Sequence, residues 1–160
     1  MSNPEAKCGI CAGLDNIRAG KAPNLIAELD HSYVVLGDGQ FYRGYCILLA
    51  KHHARELFEL PRDEAAGLFD ELRSVAEAIN RVVKPLKLNY ECLGNLEAHV
   101  HWHVFPRYAG EEERYRRGPI WERPASERMV KLEEHDERAL IASLRAEIVR
   151  LIPTARTPLD

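Results

Sequence analysis

Long hydrophobic runs are missing from this sequence, and so is any excess of basic residues. No apolar run approaches the roughly 18–20 residues that a membrane-spanning helix needs. The opening residues, MSNPEAKCGICAGL, contain no apolar segment of the kind found in signal peptides. The formal net charge is -3, which leaves no basic patch for nucleic acid or for an anionic membrane. We therefore expect a cytoplasmic protein that binds neither nucleic acid nor membranes.

Cysteine is scarce, with four residues in the chain: Cys8, Cys11, Cys46 and Cys92. Thiols stay mostly reduced in the cytoplasm, so we expect no disulfide framework. Cys46 and Cys92 fall in apolar, strand-like segments, and we interpret both as inert core thiols. Repeats and low-complexity linkers are also absent. A chain of 160 residues with 46% apolar residues therefore indicates one globular domain over 1–160.

Apolar periodicity and turn residues divide the chain into strands and helices. The predicted strands are 25–30, 32–37, 45–50, 87–94 and the segment from about residue 98, and the predicted helices are 63–83 and about 136–152. The charged stretch 109–131 is expected to form a solvated loop, and we predict no helix next to the first two cysteines. This order of elements favours an α+β fold in which an antiparallel sheet carries helices.

The segment AHVHWHVFPRY, residues 98–108, places histidines at every second position: His99, His101 and His103. Alternate residues of a strand share one face, so the three imidazoles are predicted to form a row with neighbours roughly 6–7 Å apart. Val100 and Trp102 would then face the core. Two chemistries use such a row. One is metal binding by neutral imidazole, and the other is nucleophilic attack on phosphorus by one ring while its neighbours donate hydrogen bonds. The spacing does not choose between them.

The seven residues HVHWHVF match the alternating pattern of the histidine triad (HIT) superfamily without a mismatch. The flanking segments GYCILLAKHHARELFEL (44–60), KLNYECLGN (87–95) and GPIW (118–121) also look like that family. They are similar to its bacterial branch related to diadenosine tetraphosphate hydrolases. The resemblance covers about 7–125. It implies an α+β fold with a five-stranded antiparallel sheet, to which the periodicity adds a long helix and a C-terminal helix, and it implies a homodimer.

The resemblance also implies a reaction. His101 would attack the α-phosphate of a nucleotide, His103 would contact the phosphoryl or bridging oxygens, and His99 would support the tautomer or bind metal. The expected enzyme is a nucleotide hydrolase acting on a dinucleoside polyphosphate, with Mg²⁺ arriving on the substrate as it commonly does with polyphosphates. Two alternatives stay open. The same residues suit a nucleotidyltransferase or phosphorylase, and they suit a non-catalytic nucleotide-binding adaptor.

One departure from the family pattern concerns the stretch before the first histidine. Many members carry Gln and a hydroxyl residue there, whereas this chain has GNLEAH, so Asn95 takes the place of the Gln and Glu97 adds a negative charge. Further predicted substrate contacts are distributed over two other segments and the end of the histidine strand. They are Asp38 and Gln40 in a turn that equally suits a geometric role, Asn89, and Arg107, which either reaches phosphate or pairs with an acid.

The pair CGIC at the start of the chain is a weak zinc signal by itself, because a tetrahedral site needs four ligands. Some HIT relatives bind zinc through an amino-terminal Cys pair, the His of a Lys-x-His segment and the first triad His. In this sequence those residues are Cys8, Cys11, His53 and His99, with His52 as a rival for His53. A site with four protein ligands leaves no position for water, so we predict a structural zinc.

Overall fold

Five strands form one antiparallel sheet in the spatial order β1-β2-β3-β5-β4. The computed structural model describes residues 8–158. The strands are β1 Leu25–Glu28, β2 Ser32–Leu36, β3 Cys46–Ala50, β4 Lys87–Glu91 and β5 His101–Arg107. The helices are α1 Gly9–Arg18, α2 Arg62–Val83, α3 Glu113–Arg116, α4 Ala125–Arg128 and α5 Glu134–Leu151. The predicted α+β class with a five-stranded antiparallel sheet is confirmed.

The main core lies between one face of the sheet and the two long helices. Val100, Trp102 and Val104 are buried in it, as the alternation of the histidine segment predicts. The apolar stripe of α2, at spacings of four and three, provides Leu68 and Ile79, and both are fully buried. Because each strand alternates its side chains, the opposite face of β5 is left to the histidines.

A helix next to the first two cysteines corrects the sequence prediction. Helix α1 packs Leu14 and Ile17 against Tyr33 and Val35 of β2, on the side of the sheet away from the long helices. The stretch is rich in small and polar residues, and its two buried apolar positions are too few to give a clear periodic signal. This packing places the amino-terminal segment on the histidine side of the sheet.

Two other regions differ from prediction. Strand β4 ends at Glu91, so Cys92 is exposed and the prediction that it is a core thiol was wrong, whereas Cys46 is buried. The region 109–131 contains α3, α4 and a 3-10 turn at Ile120–Glu122. Its order comes from two buried arginines, Arg107 and Arg123, whose carboxylate partners appear in the sequence only as surface charge. None of the helices described in residues 8–158 is long and apolar enough to cross a membrane.

Candidate active site and metal centre

Two of the three histidines line one cleft, and the third turns away from it. His101 and His103 project from the same face of β5, and their Nε2 atoms lie 3.1 Å apart. His99 precedes the strand and is 1% exposed, with its Nδ1 facing the amino-terminal cysteines. The predicted continuous row of three is therefore wrong at His99, because the regular strand begins only at His101.

The hydrogen bonds of His101 determine which of its nitrogens carries the proton. Its Nδ1 lies 2.6 Å from the carbonyl oxygen of His99. A carbonyl oxygen only accepts, so Nδ1 is the N–H donor and Nε2 keeps a lone pair. The Nε2–H of His103 is then the donor in the short contact between the two rings. A lone pair and a hydrogen-bond donor therefore lie side by side at the cleft.

His103 is held from behind by Tyr45, which directly precedes β3. The hydroxyl of Tyr45 lies 2.6 Å from Nδ1 of His103. Burial lowers the pKa of His103 to about 4, with a smaller contribution from neighbouring His101. Burial also raises the pKa of the Tyr45 phenol. Both side chains are therefore neutral near pH 7.

The cleft over these histidines has a volume of about 400 Å³ and is lined by the loop after β4, from Leu93 to Glu97, and by Trp121. The ring of Trp121 meets His103 edge-on at 5.9 Å, and its indole N–H donates to Glu91. Asn95 lies on this lining and is exposed. The wall is mostly apolar apart from Asn95 and Glu97, while the floor carries two imidazoles.

Four side chains cluster at the start of β5, behind the cleft: Cys8, Cys11, His53 and His99. Their potential ligand atoms all lie within 4.8 Å of one another. The two Nδ1 atoms of His53 and His99 are 3.3 Å apart. The sulfur of Cys11 is 3.4 Å and 3.5 Å from those nitrogens. The structure thus brings together all four residues that the resemblance implied.

These spacings match the edges of a tetrahedron around zinc. Usual Zn–N and Zn–S lengths give edges of about 3.4 Å between two nitrogens and about 3.6 Å between nitrogen and sulfur. The Nε2 of His99 is 2.9 Å from the carbonyl of Ala50, so its proton lies there and Nδ1 is free to bind metal. Burial, opposed in part by this contact, lowers the pKa of His99, which favours the neutral, ligating form. The donor set therefore fits a tetrahedral metal ion.

The cysteines reach this position through α1. Cys8 caps the helix and Cys11 follows three residues later, so both sulfurs lie on one side of its first turn. The amide of Gly9 donates to the Glu97 carboxylate at 2.8 Å, which ties the helix to the cleft loop. His52, the rival ligand, points away and lies 2.8 Å from a Glu64 oxygen. The local fold therefore selects His53.

The family model described as HIT domain matches residues 19–110. The chain belongs to the HIT family. The match contains the histidine strand and the Lys-x-His segment but stops short of the cysteine pair, so the pair lies outside the matched region. HIT proteins bind nucleotides and are commonly nucleotide hydrolases or transferases. The finer placement near diadenosine tetraphosphate hydrolases stays a prediction.

Known HIT proteins resemble this chain in sequence and in structure. A Bacillus subtilis protein named "Protein hit" is 27% identical over 117 residues, which is 69% of this chain and 79% of that protein. A histidine triad protein from Bradyrhizobium japonicum has 26% identity and a TM-score of 0.65, over 82% of this chain and 94% of its own. A zinc-bound histidine triad family protein from Mycobacterium smegmatis has 22% identity and a TM-score of 0.62, over 92% and 96%.

Four other residues predicted to contact substrate do not line the cleft over the histidines: Asp38, Gln40, Asn89 and Arg107. Gln40 is buried, and its amide joins the backbone of Gly37, Gly44 and Tyr45. Those bonds suit the geometric role that the sequence left open for this turn. Asp38 in the same turn is exposed.

Arg107 and Asn89 bind one another outside the cleft lining. The guanidinium is 3% exposed, donates to Asn89 Oδ1 at 2.6 Å and forms an ion pair with Glu111 at 2.8 Å. Of the two uses that the sequence suggested for Arg107, the structure shows the pairing with an acid.

The contact between Tyr45 and His103 was not predicted from the sequence, because the two residues are 58 positions apart and no local pattern links them.

Proposed function

We propose that the protein hydrolyses a dinucleoside polyphosphate or a related nucleotide at the α-phosphate, through a covalent nucleotidyl-histidine on His101. The observation that carries the proposal is the pair of imidazoles at the floor of a cleft of about 400 Å³, where Nε2 of His101, the atom with the lone pair, lies 3.1 Å from Nε2 of His103. A pocket of that size suits a small ligand. An apolar wall beside polar groups suits a nucleobase next to phosphates.

The proposed first step forms a bond between Nε2 of His101 and the α-phosphorus and breaks the bond to the bridging oxygen. The leaving phosphate departs with the bonding electrons as an anion. His103 donates its Nε2–H to a phosphoryl oxygen and stays neutral throughout. The positive charge that develops on the His101 ring is stabilised because Nδ1–H donates to the His99 carbonyl. Asn95 is proposed to donate its amide to a phosphate at the cleft mouth.

In the second step, water attacks the same phosphorus and the N–P bond breaks. The oxygen of the water becomes part of the nucleoside monophosphate, a proton passes to solvent, and His101 regains its lone pair. The sum is the addition of one water across a phosphoanhydride bond, so no oxidant or reductant is needed. A covalent intermediate of this kind divides one difficult displacement into two easier ones.

Rapid-quench mass spectrometry of the intact protein tests the nucleophile. With a diadenosine polyphosphate, the wild type should gain the mass of one adenylyl group, and His101→Ala should gain none. His135→Ala is the matched control, because that histidine is 90% exposed in its side chain and lies on α5. An adduct on His101→Ala, or turnover by that variant at the wild-type rate, would overturn the proposal.

The products separate hydrolysis from the related reactions. A hydrolase releases nucleoside monophosphate in buffer without phosphate, and added inorganic phosphate does not change the product. A phosphorylase instead yields nucleoside diphosphate that carries the added phosphate. Nucleotide binding without adduct or turnover would leave the adaptor alternative and contradict the hydrolase. Isotopically labelled phosphate distinguishes these outcomes in one experiment.

We also propose that Cys8, Cys11, His53 and His99 hold a structural zinc ion. The tetrahedral spacings support this, and the zinc-bound Mycobacterium smegmatis protein of the same fold adds support. When bound, zinc would supply a cross-link between α1 and the start of β5. Metal analysis should find about one zinc per chain, retained in His52→Ala and lost in Cys11→Ala. Equal zinc content in both variants would contradict the assignment.

A homodimer is the proposed assembly. Of the two edges of the sheet, β1 is bridged at Glu28 by Arg156, while β4 has no strand partner among residues 8–158 on its outer side. Beside β4 lies a groove of about 740 Å³, where Phe69 and Tyr90 are half exposed. An open edge next to apolar rings suits pairing with a second copy. Light scattering should give twice the chain mass, and Tyr90→Asp should shift it towards the monomer.

A further inference from the structure

We propose that Tyr45 is a positioning residue that holds His103 in the tautomer with its proton on Nε2. The inference rests on the proposed function, because it assigns His103 the task of presenting an N–H to the phosphate. Tyr45 is not one of the residues that line the cleft. It acts on the reaction only through the ring of His103.

The ring of Tyr45 is closely packed by its neighbours. It stacks on Phe105 with centroids 4.0 Å apart and planes at 13°, and it lies nearly parallel to His103 at 5.9 Å. Gly37 also lies close to the ring, because an added Cβ there would be 2.1 Å from it. The aromatic stack and the close glycine backbone leave the ring and its hydroxyl little freedom.

The hydroxyl meets Nδ1 of His103 at 2.6 Å, and the tautomers of the neighbouring rings decide the direction of this bond. His101 has a lone pair on Nε2, because its Nδ1–H donates to a carbonyl. If His103 carried its proton on Nδ1, two lone pairs would face one another at the 3.1 Å contact between the Nε2 atoms. Between two neutral rings, only a proton on Nε2 of His103 satisfies that contact, so Nδ1 accepts from Tyr45.

The hydrogen bonds that link Tyr45, His103, His101 and the backbone therefore all point the same way. Tyr45 donates to His103, His103 donates to His101, and His101 donates to the carbonyl of His99. Burial raises the pKa of Tyr45, so the phenol keeps its proton and stays a donor at neutral pH. When a phosphate enters, Nε2–H of His103 is available to a phosphoryl oxygen.

Loss of the hydroxyl removes this constraint without removing the ring. In Tyr45→Phe, Nδ1 of His103 loses its donor, so only the contact with His101 still favours the proton on Nε2, and the tautomer with the proton on Nδ1 becomes more populated. That tautomer offers a lone pair in place of a donor to the charge that develops on the phosphoryl oxygens in the transition state. One hydrogen bond of this kind changes an equilibrium or a rate by roughly three- to ten-fold. We expect kcat to fall by about that factor, with KM within about two-fold of the wild type.

The test combines nitrogen NMR with kinetics on the metal-loaded protein. Long-range ¹H–¹⁵N spectra of the wild type should show His103 protonated on Nε2 alone, and Tyr45→Phe should show the Nδ1 tautomer as well. Tyr108→Phe is the matched control, since that hydroxyl donates to the Arg43 carbonyl outside the cleft lining. Its His103 spectrum and kcat should match the wild type. Melting temperatures confirm that each variant is folded.

Two results would overturn the inference: a wild-type His103 protonated on Nδ1, or a Tyr45→Phe variant with unchanged tautomer and unchanged kcat. The tautomer is measured in the free protein and does not depend on turnover. A tautomer shift in Tyr45→Phe without any adduct in the wild type would therefore refute the proposed function and leave the positioning of His103 standing.

Discussion

Arg107→Ala should be strongly destabilising, because the guanidinium connects the end of β5 to the 108–118 segment. Arg107 and Glu111 are each only 4% exposed in their side chains. The guanidinium also donates to Asn89 Oδ1 at 2.6 Å and to the carbonyls of Gly118 and Tyr115 at 3.0 Å and 2.5 Å. The substitution leaves a buried carboxylate without its cation and three oxygens without this donor.

Removal of one partner from a buried ion pair costs about 3–5 kcal/mol, a large share of the roughly 5–15 kcal/mol that stabilises a typical domain. For a chain of this size, that corresponds to a melting temperature lower by about 6–20 °C. Urea unfolding measures the free energy directly. Arg114→Ala is the control, because its ion pair with Glu112 is 68% and 54% exposed and is worth less than about 1 kcal/mol.

A loss below about 1 kcal/mol in Arg107→Ala would refute this reasoning. Substrate binding by Arg107 predicts a different pattern, in which KM rises and the unfolding free energy hardly changes. The double variant R107M/E111M adds a further check. It removes both charges together, so it should be more stable than Arg107→Ala.

Three further predictions concern the site. The pKa of His103 should lie near 4 by NMR, below its ordinary value of 6.5. As the pH falls from 6.5 towards 4, the unfolded chain takes up this proton while the folded protein does not. The contribution of His103 to the free energy of unfolding is therefore complete above about pH 6.5 and is lost as the pH falls towards 4. In urea unfolding, the free energy of unfolding of His103→Gln should fall less over that range. Chelation of the metal should lower the melting temperature of the wild type and leave that of Cys11→Ala unchanged, as calorimetry would show. In the native protein, exposed Cys92 should react with a maleimide well before buried Cys46, and peptide mapping that found Cys46 modified first would contradict the placement of both thiols.

Much of the fold follows from patterns within a few residues. The alternation of histidine with Val100, Trp102 and Val104 predicts both the strand and its buried face, because strand side chains alternate at every residue. The stripe of α2 follows equally from helical geometry. The amino-terminal helix and the 109–131 region could not be predicted in the same way, since α1 buries little apolar surface and that region depends on Arg107 and Arg123.

The sequence by itself determined that imidazoles lie on a stiff strand over an apolar core, and its family resemblance named the four residues of the Cys/His cluster. Only the tertiary structure decided that His99 leaves the row, that Tyr45 faces His103, and that Arg107 turns inward to Glu111. The physical reason is the distance along the chain between the residues that make each contact. Periodicity reports contacts between residues a few positions apart, whereas a tautomer or an ion pair depends on which distant strands the sheet makes neighbours.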